Sequence, residues 1–192
     1  MELILASTSP YRRKLLERLQ IPFTCVAPNV AETPLPDELP QDLALRLALD
    51  KARAVADDYP GALVLGSDQV ASINGLIAGK PGNAHNASRQ LADSSGNQVC
   101  FYTGLALVHR HAGFEQALNV PFIVHFRTLS KTEIENYLDR EQPFDCAGSF
   151  KCEGLGVTLF QRLQGDDPTA LEGLPLIATC HLLRAAGLDP LA

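Results

Sequence analysis

A short apolar run, Leu3-Ile4-Leu5-Ala6, stops at three hydroxyl residues and gives way at Pro10 to a helical pattern through Leu15, Leu16 and Leu19. The run reads as a buried strand. Ser9 is placed to cap the helix and Pro10 to occupy its first position. A buried strand feeding straight into a helix commits the chain to an α/β arrangement, and the remaining signals extend it. Residues 21 to 36 are rich in proline and read as a strand followed by a loop that carries Glu32. Residues 41 to 57 are helical, and Ala62 to Asp68 is an apolar strand with a polar tip. Asn74-Gly75 marks a two-residue hairpin turn, and Asn83 to Ser94 a short helix stopped by Gly96. Residues 98 to 109 and 115 to 127 read as long strands around a turn at Gly113. Ser130-Lys131-Thr132-Glu133 is a capping box that opens another helix. Phe144 to Phe160 reads as loop and strand, and Pro175 to Ala186 as the last helix, with Gly187 as its stop signal. Hairpins and crossover helices together predict α/β with a mixed sheet.

The first helix carries Arg12 and Arg13 in its first turn, where the macrodipole is already positive. An anion bound at that end resolves the conflict, because free backbone N–H groups, hydroxyls and guanidiniums all point at it. The alternative is two solvated arginines. A net charge of −6 argues against a nucleic-acid-coating role, so an anion site here needs its few cations concentrated locally, a divalent metal, or both. At 192 residues and 46% hydrophobic content the chain suits one domain, or two lobes sharing a core. There is no signal-peptide pattern and no apolar stretch long enough to span a membrane. Five scattered cysteines, Cys25, Cys100, Cys146, Cys152 and Cys180, form no C-x-x-C pair and point to reduced thiols in the cytoplasm.

Lys51 stands out on the helix of residues 42 to 55. Asp42, Arg46, Asp50 and Arg53 cluster on one side, whereas Lys51 falls on the apolar side near Leu47 and Ala44. A lysine there either snorkels or finds an anion. Asp68, at the tip of an apolar strand, is placed for metal or catalysis. Folding the hairpin about Asn74-Gly75 brings Lys80 opposite Gln69; which face it shares is left open, since one residue of slip reverses it. Glu32 and Asp68 are a pair of hard oxygen ligands suited to Mg²⁺ or Mn²⁺. Metal plus cations is the equipment for attack on a phosphoanhydride, with a carboxylate to orient or deprotonate the water. No P-loop or dinucleotide fingerprint is present, and His109 and His111 read as a solvated hairpin tip.

These residues sit in a longer pattern. Leu3 to Leu16, Glu32, the Ala48 to Ala52 stretch with Lys51, Gly66 to Val70 and Gly79-Lys80-Pro81 are followed by Tyr102-Thr103-Gly104. Ala147 to Phe150, Glu153-Gly154, Gly165 to Pro168 and Gly173 to Leu176 complete it. The whole resembles the Maf family of nucleoside triphosphate pyrophosphatases. The resemblance implies an elongated α/β fold like that of inosine-triphosphate pyrophosphatases, a single domain over residues 1 to 192 with two lobes and a central cleft. It implies cleavage of a nucleoside triphosphate to a monophosphate and pyrophosphate, a divalent metal (Mg²⁺, Mn²⁺ or Co²⁺), a cytoplasmic address and compatibility with a homodimer. It assigns Asp68 as proton acceptor, and Ser7, Arg12 or Arg13, Glu32, Lys51 and Lys80 to the phosphate and metal site.

Within the family, Tyr11, Gln69 and Glu153 stand at the positions that distinguish branches. They are similar to the YceF-type branch, which acts on 7-methyl-GTP, although that branch more often has a different aromatic residue where Tyr11 stands. Methylation at N7 makes guanine cationic, so a tyrosine face gains cation–π attraction. Glu153 would accept from the guanine N1–H and N2–H₂ edge and repel a pyrimidine carbonyl. Two alternatives follow: a pyrophosphatase for dTTP, UTP or modified pyrimidines, and a nucleotide-binding regulator of division that needs no catalysis.

Overall fold

The computed structural model describes all 192 residues and places them in a mixed seven-stranded sheet with five α-helices. The strands are β1 (Leu3–Leu5), β2 (Thr24–Cys25), β3 (Leu63–Ile73), β4 (Leu76–Ala78), β5 (Gln98–His109), β6 (Phe114–Phe126) and β7 (Phe160–Gln164). The helices are α1 (Pro10–Glu17), α2 (Pro40–Asp58), α3 (Ala84–Ser94), α4 (Lys131–Glu141) and α5 (Leu176–Ala185). The strand order is β2-β1-β3-β5-β6-β7, with β4 also on β3. β1 runs parallel to β2 and β3, while the β3–β4 and β6–β7 pairs are antiparallel, so the α/β mixed-sheet expectation holds.

The chain divides into two compact units. The first comprises residues 1–69, 103–120 and 167–192. Its strands alternate strictly. Leu3, Leu5, Leu63, Leu65, Leu105 and Leu107 pack with Leu15 and Leu16 of α1 and Leu182 and Leu183 of α5. Ile4, Val64, Ala106 and Val108 turn to the other face and meet Ala48, Ala52, Val55 and Ala56 of α2. Two-residue periodicity in strands flanked by three-to-four-residue periodicity in helices yields this helix–sheet–helix layering.

Small side chains set how closely α2 approaches the sheet. A Cβ on Gly66 would lie 2.2 Å from the Ala48 carbonyl oxygen, and one on Gly104 would lie 2.1 Å from that of Ala44. The stripe Ala44, Ala48, Ala52 therefore rests on strand backbone, and Lys51, beside it, is carried down to the sheet with only 5% of its surface exposed.

The second unit comprises residues 70–102 and 121–166. Its core is an aromatic cluster of edge-to-face contacts, in which Phe150 packs on Phe101, Phe126 and Phe160 with centroids 4.9–5.6 Å apart. α3 and α4 pack against each other. The α4 capping box forms as expected: Ser130 Oγ accepts from the Glu133 N–H, and Glu133 accepts from the Ser130 N–H.

Three local expectations are corrected. Asp68 does not end its strand; β3 continues five residues beyond it to Ile73. β1 pairs with Leu63–Leu65 and β4 with Ala71–Ile73, so Asp68 lies where one neighbour has ended and the next has not begun. The polar residues there mark a change of neighbour rather than the strand's end. The turn at Asn74-Gly75 forms with both residues at positive φ, but the ladder stops at Ala71–Ala78 and does not extend to a Gln69–Lys80 pair. Between Phe144 and Phe160 the chain makes two 3₁₀ turns, Ala147–Ser149 and Leu155–Leu159, and the strand begins only at Phe160.

Candidate active site

The N-cap expected at Ser9 is present: its hydroxyl accepts the Arg12 N–H at 3.4 Å, and Pro10 follows at the first helical position. Ser7, nearly buried between β1 and α1, accepts the Ser9 N–H at 3.1 Å. Arg12 and Arg13 look alike in sequence, but the structure separates them. Arg12 is half-buried, and its Nε donates to the Gly173 carbonyl at 2.9 Å. Arg13, a further 100° around the helix, projects outward and pairs with Glu17 at 3.0 Å. Burial lowers the Arg12 pKa from its ordinary value, and the negative charges of Asp68 and Glu32 oppose that fall. An arginine in a protein stays protonated, so Arg12 is a permanent cation facing two carboxylates.

Lys51 neither snorkels nor stands alone. Its ammonium lies 2.6 Å from Asp68 Oδ1 and 2.6 Å from Glu32 Oε1. The two carboxylates come from segments with no local relation, the β2–α2 loop and the middle of β3. Glu32 reaches the point because its loop is tied to α2. Arg46 grips Glu38 with Nε at 2.6 Å and Nη2 at 2.7 Å, and also donates to the Thr33 carbonyl at 3.2 Å. The hydrogen bond from Arg46 holds the Glu38 carboxyl down to about 2. A depressed carboxylate stabilises the fold above its unfolded value and loses that contribution as pH falls through the folded one. The stability advantage of the wild type over Arg46→Leu, followed by circular dichroism, is therefore expected to be flat above pH 4.5 and to shrink as pH falls toward about 2.

Removing the ammonium leaves Asp68 and Glu32 facing each other with like charge. Breaking a fully buried pair costs about 3–5 kcal/mol. Glu32 is 61% exposed at the side chain, so Lys51→Met is expected to cost less, about 2 kcal/mol in urea unfolding. A neutral or stabilised variant would return Lys51 to the snorkelling alternative.

The remaining sequence-predicted residues lie elsewhere. Tyr11 is an exposed ring in the first turn of α1. Gln69 is half-buried, and its amide nitrogen is engaged by Thr103, Ala170 and Leu171. Lys80 and Glu153 belong to the second unit and are exposed, with Glu153 Oε2 3.4 Å from Cys152 Sγ.

The sequence profile described as "Maf-like protein" matches residues 2–186. The chain belongs to the Maf family. It is accordingly a nucleoside triphosphate pyrophosphatase, a hydrolase of phosphoanhydrides. Among solved structures, it is similar to the Ham1 protein of Staphylococcus aureus at 14% identity, with a TM-score of 0.48 over 66% of this chain and 72% of that one. No helix is long and apolar enough to cross a membrane.

Maf enzymes generally use a divalent metal. The donor set fits one: two carboxylate oxygens already converge on a single cationic centre, the Lys51 nitrogen, and paired carboxylates are what magnesium takes from protein. Sequence reasoning missed the group that shapes the segment after β7. Asp167, 3% exposed, accepts from Thr169 Oγ1 at 2.8 Å and from the Ile177 and Ala178 N–H groups at the start of α5. An acidic residue shortly before a proline and a helix start was the available signal.

Proposed function

We propose that this Maf-family enzyme hydrolyses 7-methyl-GTP to 7-methyl-GMP and pyrophosphate in the cytoplasm. The observation that supports the catalytic reading is the convergence of Asp68 and Glu32 on Lys51 at 2.6 Å each, with Arg12 held beside the pair by the Gly173 carbonyl. Asp68 is the catalytic carboxylate: it orients the attacking water or takes its proton. Lys51 and Arg12 neutralise the phosphate chain, with Ser7 donating its hydroxyl proton. Arg13 joins them by leaving Glu17, and Lys80 is a further phosphate-binding cation. Glu32 and Asp68 would hold Mg²⁺, Mn²⁺ or Co²⁺, which when bound neutralises phosphate oxygens and polarises the anhydride.

For the base, Tyr11 supplies an exposed aromatic face to a cationic ring and Glu153 supplies an exposed acceptor. The test is a panel of 7-methyl-GTP, GTP, UTP and dTTP with each of the three metals, read as pyrophosphate release. The expected result is the highest kcat/KM on 7-methyl-GTP; a wild type that prefers UTP or dTTP would move the enzyme to the pyrimidine branch. Glu153→Gln keeps the shape and removes the charge. A hydrogen bond to a charged group contributes about 1.5–3 kcal/mol, so the ratio of kcat/KM for 7-methyl-GTP over UTP is expected to fall about 10- to 100-fold. An unchanged ratio would remove Glu153 from base recognition.

A further inference from the structure

Lys80 lies beyond the last pair of the β3–β4 ladder, Ala71 with Ala78, in an exposed stretch of chain that leads from β4 to α3. The sheet therefore does not hold its backbone. Two side chains of α3 do. Asn86 and Gln90 stand four residues apart and share one face of the helix. Asn86 Nδ2 donates to the Pro81 carbonyl at 3.0 Å, and Gln90 Nε2 donates to the Gly79 carbonyl at 3.0 Å. The carbonyls of the residues on either side of Lys80 are thus both taken by amides from one helix. Pro81 restricts Lys80 itself to extended backbone. The Gly82 N–H, which donates to the Phe144 carbonyl at 3.0 Å, ties down the end of the same stretch. Gln90 is held in its turn: its Oε1 accepts from Ser149 Oγ at 2.5 Å, and Ser149 is fully buried. Turning the Gln90 amide over would set its oxygen against the Gly79 carbonyl, so both of its ends are committed.

We infer that Asn86 and Gln90 are positioning residues for Lys80: they grip the backbone on both sides of it and so fix the point from which its ammonium reaches a phosphate chain. This rests on Lys80 being a phosphate-binding cation. A lysine ammonium rides on a flexible four-carbon stem, and a loose backbone beneath that stem would spread its charge over a larger volume. Holding the backbone lowers the ordering cost of binding. The gain is made at the phosphates and passes through Lys80, whatever base the substrate carries.

The experiment uses whichever of 7-methyl-GTP and UTP the enzyme turns over faster, so its outcome does not depend on which base is preferred. It measures kcat/KM, competitive inhibition by inorganic triphosphate and thermal unfolding in Asn86→Ala, Gln90→Met, Lys80→Ala and the two double variants that combine either change with Lys80→Ala. Lys80→Ala is expected to lose about 10-fold or more in kcat/KM. Asn86→Ala and Gln90→Met are each expected to lose about 3- to 10-fold and to raise the inhibition constant of inorganic triphosphate by a similar factor. That probe has no base, so the rise reports the phosphate site. Alanine is a better helix former than asparagine, so Asn86→Ala is expected to keep a thermal midpoint within about 3 °C of wild type. A contact that only supports the fold would not lower activity at unchanged stability. On the Lys80→Ala background each change is expected to cost less than about 2-fold. Effects that multiply fully with Lys80→Ala would overturn the inference and leave Lys80 as a phosphate ligand. So would wild-type kinetics and inhibition in both Asn86→Ala and Gln90→Met beside an impaired Lys80→Ala. A silent Lys80→Ala would overturn the inference together with the phosphate-binding role of Lys80.

Discussion

Asp68→Asn is expected to lower kcat by roughly 100-fold or more while leaving unfolding stability close to that of the wild type. The exchange is nearly isosteric, and Lys51 keeps its second partner, Glu32, at 2.6 Å, so the buried ammonium is not orphaned. What disappears is the negative charge on β3 that faces the Lys51 nitrogen from 2.6 Å. That charge serves both readings of Asp68, as a base for the attacking water and as a hard ligand for a divalent ion, and an amide serves neither well. Steady-state pyrophosphate release and urea unfolding, measured on the same preparations, separate chemistry from folding. Activity within a few-fold of wild type at unchanged stability would remove Asp68 from the reaction.

Gly104→Ala is expected to have the largest effect on stability of any single-methyl change in the first unit. The added Cβ would stand 2.1 Å from the Ala44 carbonyl oxygen and 2.5 Å from its carbon. Both are helix backbone, so no side chain can swing aside. α2 must retreat along with Ala48 and Ala52, and the contacts of Ile4, Val64 and Ala106 with that helix open together. Overpacking of this kind costs about 3 kcal/mol or more. Lys51 rides on the same helix, so kcat/KM is expected to fall further than stability alone explains. Gly79→Ala is the control: its Cβ would meet nothing within 4 Å, and unfolding is expected to shift by less than about 0.5 kcal/mol. A Gly104→Ala protein as stable as the control would show that α2 does not lie on the sheet as described.

The parts legible in the sequence are those set by short-range periodicity. Lys51 appears on the apolar face of its helix because 3.6-residue spacing is a property of neighbours, and the structure buries it there. The Asn74-Gly75 turn, the Ser9 and Ser130 caps and the Gly187 stop are likewise written in four or five consecutive residues.

Tertiary structure alone decided what those residues meet. Lys51 was expected either to snorkel or to find an anion; that it holds Asp68 and Glu32 together depends on a loop pinned to α2 through Arg46 and Glu38. Arg12 and Arg13 are adjacent and chemically identical, and only the position of Gly173, 161 residues from Arg12 along the chain, distinguishes the one turned inward. Asp68 was read as a strand tip because its apolar run ends there, whereas the strand's length is set by β4 and β5 as neighbours. The physical reason is common to all three. Local spacing fixes which face of an element a side chain occupies, but the group across from it is supplied by a distant segment, and only packing of the whole chain brings that segment into place.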